Sequence, residues 1–263
     1  MLTTLAPSPS LTFLPSLSAY LRLELARAMR NRRFLVISLA FPLALYVFYT
    51  SAGMSKGSFS VDGMPFRTWF LVSMAAFGAI GATLSAAVAI SAERSSGWTR
   101  QLRAMPLAPS AYVVAKLVAG MALALPALAL VGAAGILLDN VQLGAAAWAL
   151  LIVSFTLGSL PFSALALLMG YVFDTETVQP AISITYFLFA IIGGLFSSGG
   201  QLSGAVATIG HVLPSYYFAD LGRGAAAGRG VNLQDAAVLA GFAVVFGAVG
   251  LHRYRAEEHR ARG

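Results

Sequence analysis

Long uncharged stretches alternate with short polar ones along this chain. No Asp, Glu, Lys or Arg falls between Arg33 and Lys56, Arg67 and Glu93, Lys116 and Asp139, Asn140 and Asp174, Glu176 and Asp220, or Asp235 and Arg253. A helix crossing a bilayer needs roughly 20 consecutive apolar residues. The gaps therefore predict six spans, at about 34–51, 69–91, 113–137, 145–170, 178–197 and 235–252. The gap from Thr177 to Ala219 has room for more than one helix, but Gly-Gly-Leu-Phe-Ser-Ser-Gly-Gly-Gln-Leu-Ser-Gly (193–204) breaks it, and His211 and Pro214 follow. Irregular backbone at membrane depth survives only when buried in protein or lining a wet cavity. A re-entrant or interfacial helical hairpin on the outer side is expected at 198–219.

Composition agrees. Of 263 residues 58% are hydrophobic and 10% charged, and the mean hydropathy is +0.79. Soluble domains carry about 25% charged residues, so a soluble enzyme, a disordered chain and a nucleic-acid module are excluded. There is no cysteine, which removes disulfides, thiolate metal sites and cysteine nucleophiles. The fold class expected is an all-α polytopic membrane protein.

The net charge of +7 follows from topology. Arg22, Arg27, Arg30, Arg32 and Arg33 precede span one; Arg94, Arg100 and Arg103 follow span two; Arg253, Arg255, Arg260 and Arg262 close the chain. With Lys116 they face one side, leaving Lys56, Arg67, Arg223 and Arg229 for the other. The positive-inside rule then places both termini in the cytoplasm of a multi-pass plasma (inner) membrane protein. No nucleic-acid partner is needed to explain the charge. Residues 1–33 form a cytoplasmic segment, 34–252 the six-span domain and 253–263 a basic tail. Arg30–Arg33 before an apolar run has the outline of a signal peptide, but the long preceding segment, Pro42 and the Tyr46/Tyr49 pair suit a retained span.

Leu14, Leu17, Leu21, Leu25 and Ala28 repeat at three- and four-residue spacing, with Arg22, Arg27 and Arg30 away from that stripe and Leu23 breaking it. Such a helix lies in the inner interface. It anchors the first span or docks a cytoplasmic partner.

Active transport needs an energy source. The chain has no Gly-Lys dipeptide, hence no phosphate-cradling P-loop. No span carries Asp or Glu near its centre to hold a coupling ion, and Lys116 is placed to snorkel to the inner interface. There is no HExxH, no carboxylate pair at helical spacing within a span and no Gly-x-Ser-x-Gly elbow. Glu257, Glu258 and His259 read as a solvated face of the tail. In span two, Gly78, Ala82 and Ala86 form one small-residue row and Gly81, Ser85 and Ala89 another, which permits close helix packing. Pro42, Pro126, Pro161 and Pro180 can kink spans. Trp69 and Trp148 suit an interfacial belt.

The loop after span two, 92–110, carries the most specific pattern. Gly97 interrupts the helix, Trp98 and Leu102 make an i,i+4 apolar pair flanked by Arg100 and Arg103, and Pro106 and Pro109 set the turn into span three. An aromatic–aliphatic pair ringed by Arg suits docking of a soluble protein; a basic loop on lipid headgroups is the plainer alternative. Glu93 continues the Gly81–Ser85–Ala89 row by one step of four, where it is expected to pair with an Arg of the loop or of the amphipathic start, or to touch a docked partner. As an exposed pair it would be worth about 0–1 kcal/mol, so its loss should leave insertion nearly normal.

The run Glu93-Arg94-x-x-Gly97-x-x-x-x-Leu102-x-x-x-Pro106-Leu107 with Lys116 beyond it, and Leu213-Pro214-Ser-Tyr216-Tyr217-Phe-Ala-Asp220-Leu-Gly-Arg223 before span six, resemble the permease subunits of type-2 ATP-binding-cassette (ABC) exporters. Trp98 stands where Thr is common there, Ala115 where Gly usually precedes the Lys, and Ser197 where Pro often follows Gly-Leu-Phe. The resemblance implies a half-transporter that pairs with a second permease copy, identical or paralogous, and with soluble ABC ATPase subunits. The chain itself would hold no cofactor; ATP and Mg would bind the partner ATPase. Glu93, Arg94, Gly97, Trp98, Leu102, Arg103 and Pro106 would form the coupling element. The interfacial helix, with Leu17, Leu21, Arg22, Leu25 and Arg27, would pack beside it. Spans one, two and five would line the route.

The expected activity is export of a hydrophobic or amphipathic compound (drug, antibiotic or lipid-like), with Met74, Phe77, Tyr186, Phe187 and Phe189 as candidate lining and membrane lipid as the surrounding partner. A polysaccharide or cation exporter, or a non-transporting scaffold or sensor partner, are the alternatives. His211, Pro214, Tyr216 and Tyr217 are assigned to the outer hairpin rather than a metal site, because one His without a nearby carboxylate pair is a poor ligand set.

Overall fold

The computed structural model describes residues 18, 21–24, 26–27, 32–52, 60–61, 63–97, 109–196 and 205–260. Residues 18, 21–24 and 26–27 are helical. Then come α1 (Arg32–Ser51), a hairpin of β1 (Ser60–Val61) and β2 (Met64–Pro65), α2 (Phe66–Leu84), α3 (Ala86–Ser95), α4 (Pro109–Ala122), α5 (Ala124–Asp139), α6 (Ala145–Gly158), α7 (Leu160–Val172), α8 (Val178–Ile192), α9 (Ala205–Gly210), α10 (Pro214–Ala226) and α11 (Leu233–Arg260).

Among the described residues four helices are long and apolar enough to cross a membrane: Phe66–Ser95, Tyr112–Asp139, Ala145–Val172 and Leu233–Ala256. Ser38–Ser51 and Val178–Ile192 are shorter apolar helices. Three of the long ones bend near mid-length, at Ser85, Leu123 and Ser159, and so divide into α2/α3, α4/α5 and α6/α7. Each bend has a local cause. The Ser85 hydroxyl donates to the Ala82 carbonyl at 2.5 Å and that of Ser159 to Thr156 at 2.8 Å, and such back-bonding bends helices. Pro126 and Pro161 stand within the first turns of α5 and α7, where a missing N–H is tolerated and the preceding turn cannot continue. Asn140, in the left-handed region at φ 51°, ends α5, a frequent helix stop.

Phe66–Ser95 is the central helix. Its most apolar stretch is 83% buried, against 17% for Leu233–Ala256 at the periphery. The small-residue rows explain the centrality. A Cβ on Gly78 would stand 3.0 Å from the Cβ of Ala127, and one on Gly81 would stand 2.9 Å from the Tyr186 ring. Those glycines let α5 and α8 approach α2. α7 packs against α3, α4 and α11, and α10 against α2, α6 and α11.

Two expectations change, and a hairpin is added. The strands are an addition, and Asp62-Gly63 is their sequence signal, a dipeptide favoured in two-residue hairpins. The second arm of the outer hairpin is a helix running to Ala226, past 219, with Pro214, Phe218, Leu221 and Arg223 buried. Trp69 is fully buried and belongs to no interfacial belt, because Arg223 covers its ring. Trp148 is half-buried and lies against Gly132.

Candidate functional site

The end of α3 gathers charges from three segments that the sequence separates widely. Lys116, in the second turn of α4, sends its Nζ to Glu24 Oε2 and to Glu93 Oε1, at 2.7 Å each. The side chains of Lys116, Glu24 and Glu93 are 3%, 7% and 12% exposed, so this is a buried triad and not a surface pair. Tyr112, one turn before Lys116, donates its hydroxyl to Glu93 Oε2 at 3.0 Å. Arg27 reaches Glu93 Oε1 at 3.5 Å and Glu24 Oε1 at 3.8 Å from the rim. Two carboxylates facing two cations balance in charge, which is what allows burial.

The same helix end is tied to α7. Arg94 donates from Nη1 to the Tyr171 carbonyl and from Nη2 to Phe173 at 2.9 Å, while the Ser91 hydroxyl donates to Phe173 at 3.2 Å. Carbonyls at a helix C-terminus lack intrahelical partners and carry partial negative charge; a guanidinium satisfies both needs. Next in the chain, the Thr177 hydroxyl and backbone N–H donate to Asp174 Oδ1 at 2.5 and 2.9 Å. These bonds hold the exposed carboxyl below its ordinary range. Tyr254 of α11 completes the cluster, stacked on Tyr112 and edge-on to Tyr171.

Of the expected coupling residues, Glu93 and Arg94 thus meet in one site. Gly97 adopts φ +72°, just beyond Ser95 where α3 stops, as the helix break requires. Trp98, Leu102, Arg103 and Pro106 lie outside the described residues, as do Leu17 and Leu25. Leu21 is half-buried, and Arg22 and Arg27 are exposed. Two expectations are overturned. Lys116 does not snorkel outward, because two carboxylates hold it inside. Glu93 is not an exposed group of marginal worth, since Lys116, Tyr112 and Arg27 all converge on it. Glu24 was missed altogether. It follows Leu21 by three residues and Leu17 by seven, so it falls on the apolar stripe itself, and that misplaced carboxylate was the available signal.

Along the middle of the bundle, Phe77 stacks on Tyr186 at 4.2 Å between centroids and 3° between planes. Phe187 and Phe41 pack at their edges. Tyr186, Phe187 and Phe41 border a cavity of about 250 Å³ between α1, α2 and α8, whose lining also includes Ser38, Gln179 and Ser183. Met74 is fully buried in the core, and Phe189 meets Phe162 of α7. Three of the five proposed route residues therefore cluster, and two do not.

At the far end of α2, Arg223 is 4% exposed. Its guanidinium lies over the Trp69 ring at 4.2 Å and donates to the Ser73 hydroxyl at 2.9 Å and the Gly194 carbonyl at 3.4 Å. The sequence placed this arginine on the outer side; burial against α2 and the turn after α8 is the correction. Nearby, His211 is exposed, edge-on to Tyr216 at 4.4 Å, and its carbonyl accepts from the Tyr217 hydroxyl at 2.7 Å. Pro214 is the first residue of α10. Among the described residues no three His, Asp or Glu side chains are grouped for a metal ion.

Residues 66–252 match the family described as ABC-2 family transporter protein. The chain is also 27% identical over 196 residues to the Bacillus subtilis (strain 168) protein named "Putative transport permease YvfS", covering 74% of this chain and 79% of that one. The matched region runs from the first residue of α2 through most of α11, taking in Glu93, Lys116 and Arg223. The chain belongs to the ABC-2 transporter family, as a multi-pass membrane permease subunit that works with an ATP-binding partner.

Proposed function

We propose that this permease moves an uncharged hydrophobic or amphipathic compound outward, powered by a separate soluble ATPase, and that the Glu24–Lys116–Glu93 triad links the two. The triad is the observation that carries the reading. It joins the amphipathic start, the helix end entering the 92–110 loop, and the following span, so a push on that loop reaches all three together. In this reading the six apolar helices all cross the plasma membrane, both termini are cytoplasmic and two permease copies face each other. The cavity lining at Phe41, Tyr186 and Phe187 contains no charged side chain, which favours amphiphiles over cations.

Permease purified together with its P-loop ATPase partner and reconstituted in vesicles should hydrolyse ATP faster when an amphiphilic drug is added. Stimulation by sodium alone, with no response to amphiphiles, would overturn the proposal.

A further inference from the structure

A second cavity, of about 340 Å³, lies away from the Phe77–Tyr186 cluster, where α6 and α7 meet α10 and α11. The bend at Ser159 and Pro161 turns α7 toward α11, which packs closely along it but scarcely touches α6. Opposite the bend, α11 presents Ala236, Ala240 and Ala243 to the cavity, one helix face at i, i+4 and i+7 spacing. None has a side chain long enough to fill the gap. The crevice opens between Val153, Leu157 and Val231, all exposed. Its volume falls in the range of small-molecule sites, roughly 300–1,000 Å³.

One polar side chain enters this lining. Ser154 is 4% exposed, and its hydroxyl has no hydrogen-bond partner among the described residues. A hydroxyl in a helix ordinarily bonds to the carbonyl one turn earlier, as Thr156 does to Ile152 at 2.7 Å. Leaving one buried and unbonded is unfavourable, and a ligand oxygen would satisfy it.

We propose that this crevice binds a neutral membrane lipid with a long hydrocarbon chain and one hydroxyl or carbonyl oxygen, which accepts a hydrogen bond from Ser154. The apolar rim admits hydrocarbon directly from the bilayer, the lining offers no charge for a phosphate headgroup, and Ser154 supplies the single donor. The assignment rests on the chain lying in a membrane and not on the export reading above.

The test uses the full-length protein in vesicles and two photoactivatable probes of equal length, a long-chain alcohol and its alkane counterpart. The alcohol should crosslink to peptides containing 153–161 and 236–243. Ser154→Ala should lower that yield about threefold or more, the loss of one net hydrogen bond, and leave the alkane yield unchanged. Ala240→Phe should reduce both yields by occupying the space. Equal alcohol labelling of wild type and Ser154→Ala, or labelling spread evenly over the exposed face of α11, would overturn the proposal. Ser154→Ala removes a single oxygen, so the test stands even if Ala240→Phe fails to fold.

Discussion

At one end of the Phe66–Ser95 helix, Lys116 is buried between two carboxylates; at the other, Arg223 is buried on a ring face, a hydroxyl and a carbonyl. Ser73 and Glu93 stand twenty residues apart, about 30 Å along a helix rising 1.5 Å per residue. That is close to the thickness of a bilayer's hydrocarbon core. The two sites fasten the same helix by different physics. Removing one member of the ion triad strands charge of the opposite sign, whereas the Arg223 contacts leave behind groups that are neutral by themselves. The triad is therefore the more brittle fastening, and it ties together segments that the 92–110 loop would move.

The largest effect tests that brittleness. Lys116→Met leaves Glu24 and Glu93 facing each other, and breaking a buried pair costs about 3–5 kcal/mol. The thermal midpoint in detergent should fall steeply, and adding Glu24→Gln should restore part of it. A midpoint unchanged by Lys116→Met would show that the triad is solvated and the contrast false. Next comes Arg223→Met, which keeps apolar bulk over Trp69 but forfeits charge-assisted hydrogen bonds worth about 1.5–3 kcal/mol. Its midpoint should drop less than that of Lys116→Met; a larger drop would reverse the ranking of the two ends.

Gly81→Ala probes the stretch between them. The added methyl would press on the Tyr186 ring, and overpacking costs about 1–3 kcal/mol. Amphiphile-stimulated ATP hydrolysis should decline through the displaced Phe77–Tyr186 stack, and an unchanged response would separate that stack from the route. Tyr112→Phe removes one hydrogen bond to Glu93, about 1 kcal/mol, readable as a small midpoint shift. Arg27→Ala is the mildest. Its side chain is 42% exposed, and exposed pairs give about 0–1 kcal/mol. Should Arg27→Ala match Lys116→Met in cost, the triad's centre would lie at the rim and not at Lys116.

Some of this was legible in the residues and some was not. The spacing of Asp, Glu, Lys and Arg located the apolar helices, because hydrocarbon excludes unpaired charge wherever it falls. Gly97 announced the end of α3, and the Gly78 and Gly81 rows announced a crowded face, since both effects act within a turn or two of the residue concerned. Glu93, Arg94 and Lys116 stand in one sequence motif and lie near one helix end in the structure, yet the sequence turned Lys116 toward solvent and gave no role to Glu24.

What the sequence by itself determined is which segments are helical and apolar, where they break, and how the charges sort to their ends, for these follow from the solvent each residue can tolerate. Only the tertiary structure decided that Glu24 reaches across 92 positions to Lys116, that Arg223 lies 150 positions from the Ser73 hydroxyl it bonds, and that α10 is packed inside the bundle. A buried charge is stable only where distant segments supply its partners, and that arrangement exists only once the helices have packed.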